Sequence, residues 1–232
     1  MKRIVITGGT SGLGKCIVQN MKHWHPKADV RVWATETGVD VSNEASVMDA
    51  AEQIDGPIDC LINCAGVNGI DYLPQVTSDE WDRLMNTNAK GIFLCVKHLV
   101  EKLRGGTVLN IVSNAAHIPM TNSVAYNASK AAARMITRQM DRELSKTHNI
   151  TVFSVSPNKM SGTGMSRYIE ERVCELRGWT PEEAKKYQLA ALPAGEETPP
   201  EVIADFIGYL LSEKACHKYL GGCDIPYGGP TV

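Results

Sequence analysis

Tyr126 and Lys130 stand four residues apart in Ala125-Tyr126-Asn127-Ala128-Ser129-Lys130-Ala131-Ala132-Ala133, a stretch with strong helical character. On a helix that spacing stacks the phenol and the ammonium on one face. The positive charge favours the phenolate and is expected to pull the Tyr126 pKa below its reference of about 10. Such a phenol is a usable proton donor near neutral pH. Tyrosine and lysine also meet at this spacing on many solvated helices, so the pair gains meaning only from its surroundings. Ser113 closes the apolar run Val108-Leu109-Asn110-Ile111-Val112, where a serine ordinarily caps a turn and where its hydroxyl can also polarise an oxygen.

The elements that must position these groups begin at the N-terminus. Ile4-Val5-Ile6 is a short β-branched run suited to a buried parallel strand. Thr7-Gly8-Gly9-Thr10-Ser11-Gly12-Leu13-Gly14 follows, and helical spacing resumes from Cys16 to Met21. In this strand, glycine turn and helix, Gly8 permits the tight turn, Gly12 lets backbone approach a pyrophosphate and Gly14 lets the helix pack against the strand. The free N–H groups of the helix N-terminus then face phosphate.

With both motifs in view, the chain resembles the short-chain dehydrogenase/reductase family of the short, single-domain type. The resemblance is carried by Thr7-Gly8-x3-Gly12-x-Gly14, Asp40-Val41, Asn63-Cys64-Ala65-Gly66, Asn88 in Asn88-Ala89-Lys90-Gly91, Ser113 and Tyr126-x3-Lys130, and it extends to Gly221–Gly229 as a closing strand. It implies a catalytic set of Asn88, Ser113, Tyr126 and Lys130 and reversible hydride transfer between a nicotinamide and a carbonyl or secondary alcohol. Tyr126 would exchange the proton, Ser113 would hold the substrate oxygen, and Lys130 would hold the nicotinamide ribose and keep Tyr126 acidic. Asn88 would in addition hold a water linking Lys130 to solvent. The implied cofactor residues are Gly8, Thr10, Ser11, Gly12, Leu13 and Gly14, then Asp40 and Val41 toward the adenine, and Ala65 and Gly66 against the adenosine, with Asn63 stabilising the sheet. Tyr126 and Lys130 join them, as do Pro157, Asn158, Met160 and Thr163 beyond the strand at 150 to 155. Pro157-Asn158 stands where the family usually has Pro-Gly. The alternative is a nucleotide-binding redox sensor or scaffold of the same fold without turnover.

Alternating strands (3 to 7, 30 to 34, 58 to 63, 107 to 112, 150 to 155, 219 to 225) and helices (12 to 24, 43 to 54, 79 to 103, 123 to 148, 199 to 212) predict a Rossmann-like, doubly wound parallel sheet in three α/β/α layers. All 232 residues are expected to form one domain, with 158 to 198 as a substrate-covering lid holding two short helices. Only Thr35-Glu36-Thr37-Gly38 separates the second strand from Val39-Asp40-Val41, whereas a parallel crossover takes a dozen or more residues. The crossover helix is therefore missing, and the sheet edge beyond the second strand should be bare.

Net charge is −2 with both signs interspersed, which points to neither nucleic acid nor an anionic membrane surface. No apolar run approaches a bilayer-spanning length, and Met1-Lys2-Arg3 opens directly into a strand, so a cytoplasmic protein is expected. The seven cysteines lie among apolar neighbours and read as buried thiols; the histidines show no metal spacing, so no metal is assigned.

Glu36 lies 22 residues beyond Gly14, close to where an acidic side chain accepts from the ribose 2′-hydroxyl and repels a 2′-phosphate. NAD is therefore expected over NADP. Leu94, Val96, Leu99, Met135, Ile136 and Met140 offer outward apolar faces on the two long helices, which in the family pair into homodimers and homotetramers. For the substrate, Ser113, Asn114, His117 and Lys159 would surround the reacting carbon with donors and a cation, favouring an anionic carbonyl compound. A small apolar ketone closed in by Met160 and Met165 is the competing reading.

Overall fold

The computed structural model describes residues 2–212 and 219–229. Six parallel strands, β1 (Arg3–Thr7), β2 (Asp29–Trp33), β3 (Cys60–Asn63), β4 (Thr107–Ile111), β5 (Thr151–Pro157) and β6 (Asp224–Tyr227), form one sheet in the order β2-β1-β3-β4-β5-β6. The helices are α1 (Gly12–Trp24), α2 (Glu44–Glu52), α3 (Ser78–Met85), α4 (Gly91–Leu99), α5 (Val124–Thr147), α6 (Gly164–Arg177), α7 (Pro181–Ala190) and α8 (Pro200–Ser212).

Side-chain alternation along the strands produces the layers. Ile4, Ile6, Ile62, Leu109, Phe153 and Val155 pack with Ile17 and Met21 of α1 and Ile203 and Ile207 of α8. Val5, Leu61, Val108 and Val152 point the other way, onto Val47 of α2, Leu94 and Leu99 of α4, and Met140 and Leu144 of α5. With both faces covered, the strands are apolar throughout, as the sequence pattern requires. The chain winds outward in one direction from β1 to β2 and in the other from β3 onward, so the switch point between β1 and β3 opens a crevice at the strands' C-terminal ends.

No crossover helix separates β2 from Val39-Asp40-Val41, as the short spacing predicts, and the chain crosses to β3 through α2 instead. Val39 donates its N–H to Ala34 O (2.9 Å) around Gly38, whose φ of 85° closes the turn. Val39-Asp40-Val41 forms no strand, Val41 is buried beside Trp33 and Val47, and β2 is the sheet edge among the described residues.

Three expectations need correction. The helix expected over 79 to 103 is broken by a π turn at Asn86–Lys90 and ends at Leu99; the extra residue in that turn swings Asn88 inward, a common use of such turns at functional sites. Leu94, Val96 and Leu99 are buried rather than outward, and the exposed apolar residues of this surface are Phe93 and Met135. The last strand begins at Asp224 rather than 219, because Gly221-Gly222 first makes a turn, with φ of 70° at Gly222, against the Asp141 side chain.

Two glycines set how close the first helix comes to the crevice. A Cβ on Gly14 would overlap the Gly8 carbonyl, standing 2.8 Å from its carbon. One on Gly8 would stand 2.7 Å from Ala65 Cα. Both clashes involve backbone and cannot be relieved by a side-chain rotation. Gly14→Ala is expected to cost about 3 kcal/mol or more, at the upper end of overpacking penalties, read as a lower urea midpoint with an unchanged m-value.

Candidate active site

The C-terminal ends of β1, β3, β4 and β5 bring the expected residues to one crevice. Thr7 Oγ1 at the end of β1 accepts the N–H groups of Cys64 and Ala65, both at 3.0 Å. This pins the Ala65-Gly66 backbone beside the glycine loop. Asn63 donates to Asn110 Oδ1 (2.8 Å), and Asn110 donates to Thr137 Oγ1 (2.9 Å), a buried ladder from β3 through β4 to α5. Asn63 is thus a sheet-stabilising residue, as expected, and its ladder fixes the helix that carries Tyr126 and Lys130.

Tyr126 and Lys130 are both buried, with Lys130 Nζ 5.9 Å from the Tyr126 ring centre. The Ser113 side chain lies beside the Tyr126 phenol and favours its charged form. Lys130 Nζ donates to Ile111 O (3.2 Å) at the end of β4. Gly66 makes room for it, since a Cβ there would lie 3.3 Å from Asn88 Oδ1 and 3.5 Å from Lys130 Nζ. Asn88 clamps Val67 from both sides, accepting its N–H and donating to its carbonyl at 2.9 Å each, and donates to Ser129 Oγ at 3.0 Å. Ser129 in turn donates to Tyr126 O (2.8 Å). Asn88 therefore acts on the pair through the backbone it holds.

The electrostatics of this crevice differ from the sequence expectation. Burial pushes the Tyr126 phenol up, and Ser113 only partly opposes it. The same burial drives Lys130 down to about 8. Desolvation is the largest cause of both shifts.

Ser113 also accepts the Ala115 N–H at 3.1 Å, so the ordinary cap and the contact with Tyr126 coexist. The turn after it is held by a carboxylate that sequence reasoning missed. Asp224 on β6, its side chain 4% exposed, takes Ser154 Oγ (2.5 Å) and Ser156 Oγ (2.8 Å) on Oδ1. Its Oδ2 faces His117 Nε2 at 2.5 Å and Arg134 Nε at 3.4 Å. His117 lies four residues beyond Ser113 and Arg134 four beyond Lys130, so one buried carboxylate ties both reactive segments to the last strand. The register of Arg134 with Tyr126 and Lys130 was visible in the sequence; its meeting with residue 224 was not.

The glycine loop is open toward the crevice. Ser11 precedes α1 without a side-chain cap bond, and a Cβ on Gly12 (φ 48°) would meet nothing nearer than Thr163 at 3.8 Å. Leu13 is buried and anchors the helix start. Glu36, just past β2, accepts from Thr10 Oγ1 (2.9 Å) and Thr35 Oγ1 (3.2 Å). Its own backbone N–H and these hydroxyls hold its carboxyl below the usual range. Asp40 Oδ1 takes the Ser42 N–H (2.9 Å) and hydroxyl (2.7 Å), closing a local turn.

Beyond β5, Pro157 ends the strand opposite Tyr227 and Asn158 donates to Gly228 O (2.8 Å). Met160 bridges Thr198, and Thr163 caps α6 by accepting the Ser166 N–H (3.0 Å). Of the residues expected to present a cation and donors to substrate, Lys159 and His117 are engaged elsewhere, whereas the buried Asn114 amide has no hydrogen-bond partner among the described residues. Lys159 Nζ pairs with Glu197 (2.7 Å) and Glu170 (3.2 Å) and also donates to Gln188, with its side chain 12% exposed. His117 faces Asp224, and the buried Asn114 amide packs beside Gly229. The charge of Lys159 is consumed in joining α6 and α7 to the strand end, which corrects the anionic-substrate expectation.

Lys130 gives a pH signature. Its folded pKa of about 8 lies below the model-compound 10.5, so above pH 8 the unfolded chain holds more protons and stability rises with pH. Burial raises Cys60, Cys64 and Cys95 from 9.0 to about 12, and the shifts of these thiols reverse the slope above pH 9. From pH 8 to 9 the wild type should gain about 1 kcal/mol relative to Lys130→Met, measured by urea unfolding at each pH. Parallel curves would mean the ammonium is not desolvated.

Comparisons with known proteins agree with this geometry. The sequence model of the family described as short chain dehydrogenase matches residues 24–173. The chain is 30% identical to the sorbitol-6-phosphate 2-dehydrogenase of Klebsiella pneumoniae, over 92% of its own length and 90% of that protein's. Among solved structures, a short chain dehydrogenase family protein from Francisella tularensis superposes with a TM-score of 0.88 at 20% identity, covering 100% of this chain and 98% of that one. Actinorhodin polyketide ketoreductase with NADPH gives 0.87 at 23% identity, covering 99% and 97%. These structures share the fold, and the sequence match over most of its length establishes that this chain belongs to the short chain dehydrogenase family.

Proposed function

We propose that the protein is an NAD-dependent oxidoreductase that interconverts a carbonyl and a secondary alcohol, with Tyr126 as acid and base. The observation that carries this reading is the buried Tyr126 phenol with Lys130 Nζ 5.9 Å from its ring centre and Ser113 at its side, at the C-terminal end of β4. The residues fit a dinucleotide: an uncapped α1 N-terminus offers N–H groups to a diphosphate, the open face of Gly12 admits it, and Ala65-Gly66 leaves room for backbone approach. When bound, the nicotinamide supplies or accepts the hydride.

The chain's own residues handle the proton and the geometry. Tyr126 Oη gives its proton to the substrate oxygen in reduction and takes it back in oxidation. Ser113 Oγ holds that oxygen through its own hydroxyl, and Lys130 stabilises the phenolate left on Tyr126. The segment 158 to 198, with α6 and α7 joined through Lys159, covers the substrate. Glu36 favours the ribose 2′-hydroxyl of NAD, and its position against Thr10 on the glycine loop supports that preference. Association through α4 and α5 into a homodimer or homotetramer would cover Phe93 and Met135, and the free described thiols are consistent with a cytoplasmic setting.

Tyr126→Phe keeps the ring and removes the proton, so turnover should fall about a thousandfold, within the usual range for a general acid, while NADH affinity by fluorescence titration is unchanged. Full activity in that variant would exclude Tyr126 from the reaction. If the wild type binds NADH and reduces nothing across a panel of ketones and aldehydes, the protein is a nucleotide sensor. For the cofactor, Glu36→Gln should weaken NADH and strengthen NADPH; equal affinities in the wild type would overturn the NAD assignment.

A further inference from the structure

A cavity of about 670 Å³ adjoins the reactive pair. Its inner wall is Val67, Leu84 and Ala125, the residues packed around Tyr126, and Val67 is the residue that Asn88 clamps. Its outer wall is charged: Asp71 from the loop after β3, Glu80 and Arg83 from α3, and Arg172 from α6, with Tyr168 one turn before Arg172. Arg83 holds Glu80 through Nε and Nη2 at 2.7 Å each. Arg172 reaches Asp71 at 3.4 Å through Nη2. Two cations and two anions cancel, so the wall is polar and formally neutral.

That balance discriminates among substrate classes. An alkyl chain filling the cavity would strip water from four charged groups and return no hydrogen bonds. A phosphate or carboxylate would bring net negative charge against Asp71 and Glu80, with both guanidinia already partnered. A hydroxyl both donates and accepts, so a run of hydroxyls can give to the carboxylates and take from the guanidinia and Tyr168 without breaking either pair. The volume, within the usual range for ligand pockets, holds several carbons beyond the reacting one. We infer that this cavity is the distal subsite of the substrate and that it takes an uncharged, hydroxyl-rich chain: a polyol in oxidation, a polyhydroxylated carbonyl compound in reduction. The inference rests on the oxidoreductase reading for its location but concerns separate residues.

The test uses the intact protein with NAD and three probe types of equal carbon number: straight-chain five-carbon polyols of each configuration, their terminal monophosphates, and 2-pentanol. Binding to the protein–NAD complex is measured by calorimetry and turnover by NADH absorbance. At least one polyol should show kcat/KM about tenfold or more above its monophosphate and above 2-pentanol, the worth of one hydrogen bond to a charged group. Glu80→Gln makes the wall net positive and should move preference toward the monophosphate, with 2-pentanol unaffected. Preference of the wild type for the monophosphate or the alkanol overturns the inference while leaving the oxidoreductase reading intact. Polyol binding that Glu80→Gln alters, without turnover of any probe, upholds the subsite and counts against catalysis. Absence of polyol binding overturns the inference outright.

Discussion

The burial of the Lys130 ammonium is the constraint around which this crevice is organised. It makes one hydrogen bond, to Ile111 O, and no carboxylate lies within ion-pair distance among the described residues. A cation in that position is tolerated only if its surroundings are fixed, because small shifts of a desolvated charge are costly. The fixing groups are accordingly buried amides and hydroxyls rather than charges: Asn88 on the π turn, Ser129 beneath Tyr126, and the Asn63–Asn110–Thr137 ladder. None of them carries a charge that would pair with the ammonium. Gly66 completes the arrangement by leaving out the one side chain that would crowd it.

The same economy governs the other charges near the crevice. Lys159 is neutralised by Glu170 and Glu197, and Asp224 by Arg134, with His117 against its other side. These pairs join elements that the sheet alone does not hold together. Asp224 anchors the turn after Ser113 and the helix of Tyr126 to the sheet's last strand, and Lys159 anchors α6 and α7. Charges that a sequence offers as substrate ligands are here the fasteners of the segments that shape the site.

How much of this was legible in the sequence follows from the range of each interaction. The glycine loop, the Tyr126–Lys130 spacing and the missing crossover are local, set by steric rules over a few residues, and the structure reproduces them. The π turn at Asn86–Lys90 was read as plain helix because its residues have ordinary helical character; the departure is stabilised by Asn88 reaching Val67, a contact across 21 positions. Leu94, Val96 and Leu99 were taken as outward because the depth of the α4 packing against α2 and β3 is tertiary information. The shift in Lys130 is likewise invisible locally: the spacing suggests an attraction to Tyr126, whereas the shift comes from burial, which depends on tertiary packing around the pair.

This ordering of effects bears on how the crevice would act with its ligands in place. With every other nearby charge paired, Lys130 is the sole uncompensated cation beside Ser113 and Tyr126 among the described residues. Its dehydration raises the energy of the charged form, and a negative charge at Tyr126 Oη would relieve that cost. In the proposed reaction, the phenolate that proton transfer would create is such a group. Burial therefore works against the acidity of Tyr126, whose pKa it raises, and under the proposed mechanism it would favour the charge developing on Tyr126, because the compensating ammonium is already in place. The neutral cavity beyond Val67 fits the same scheme: a wall with no net field leaves the charge balance at Lys130 undisturbed by the far end of the substrate.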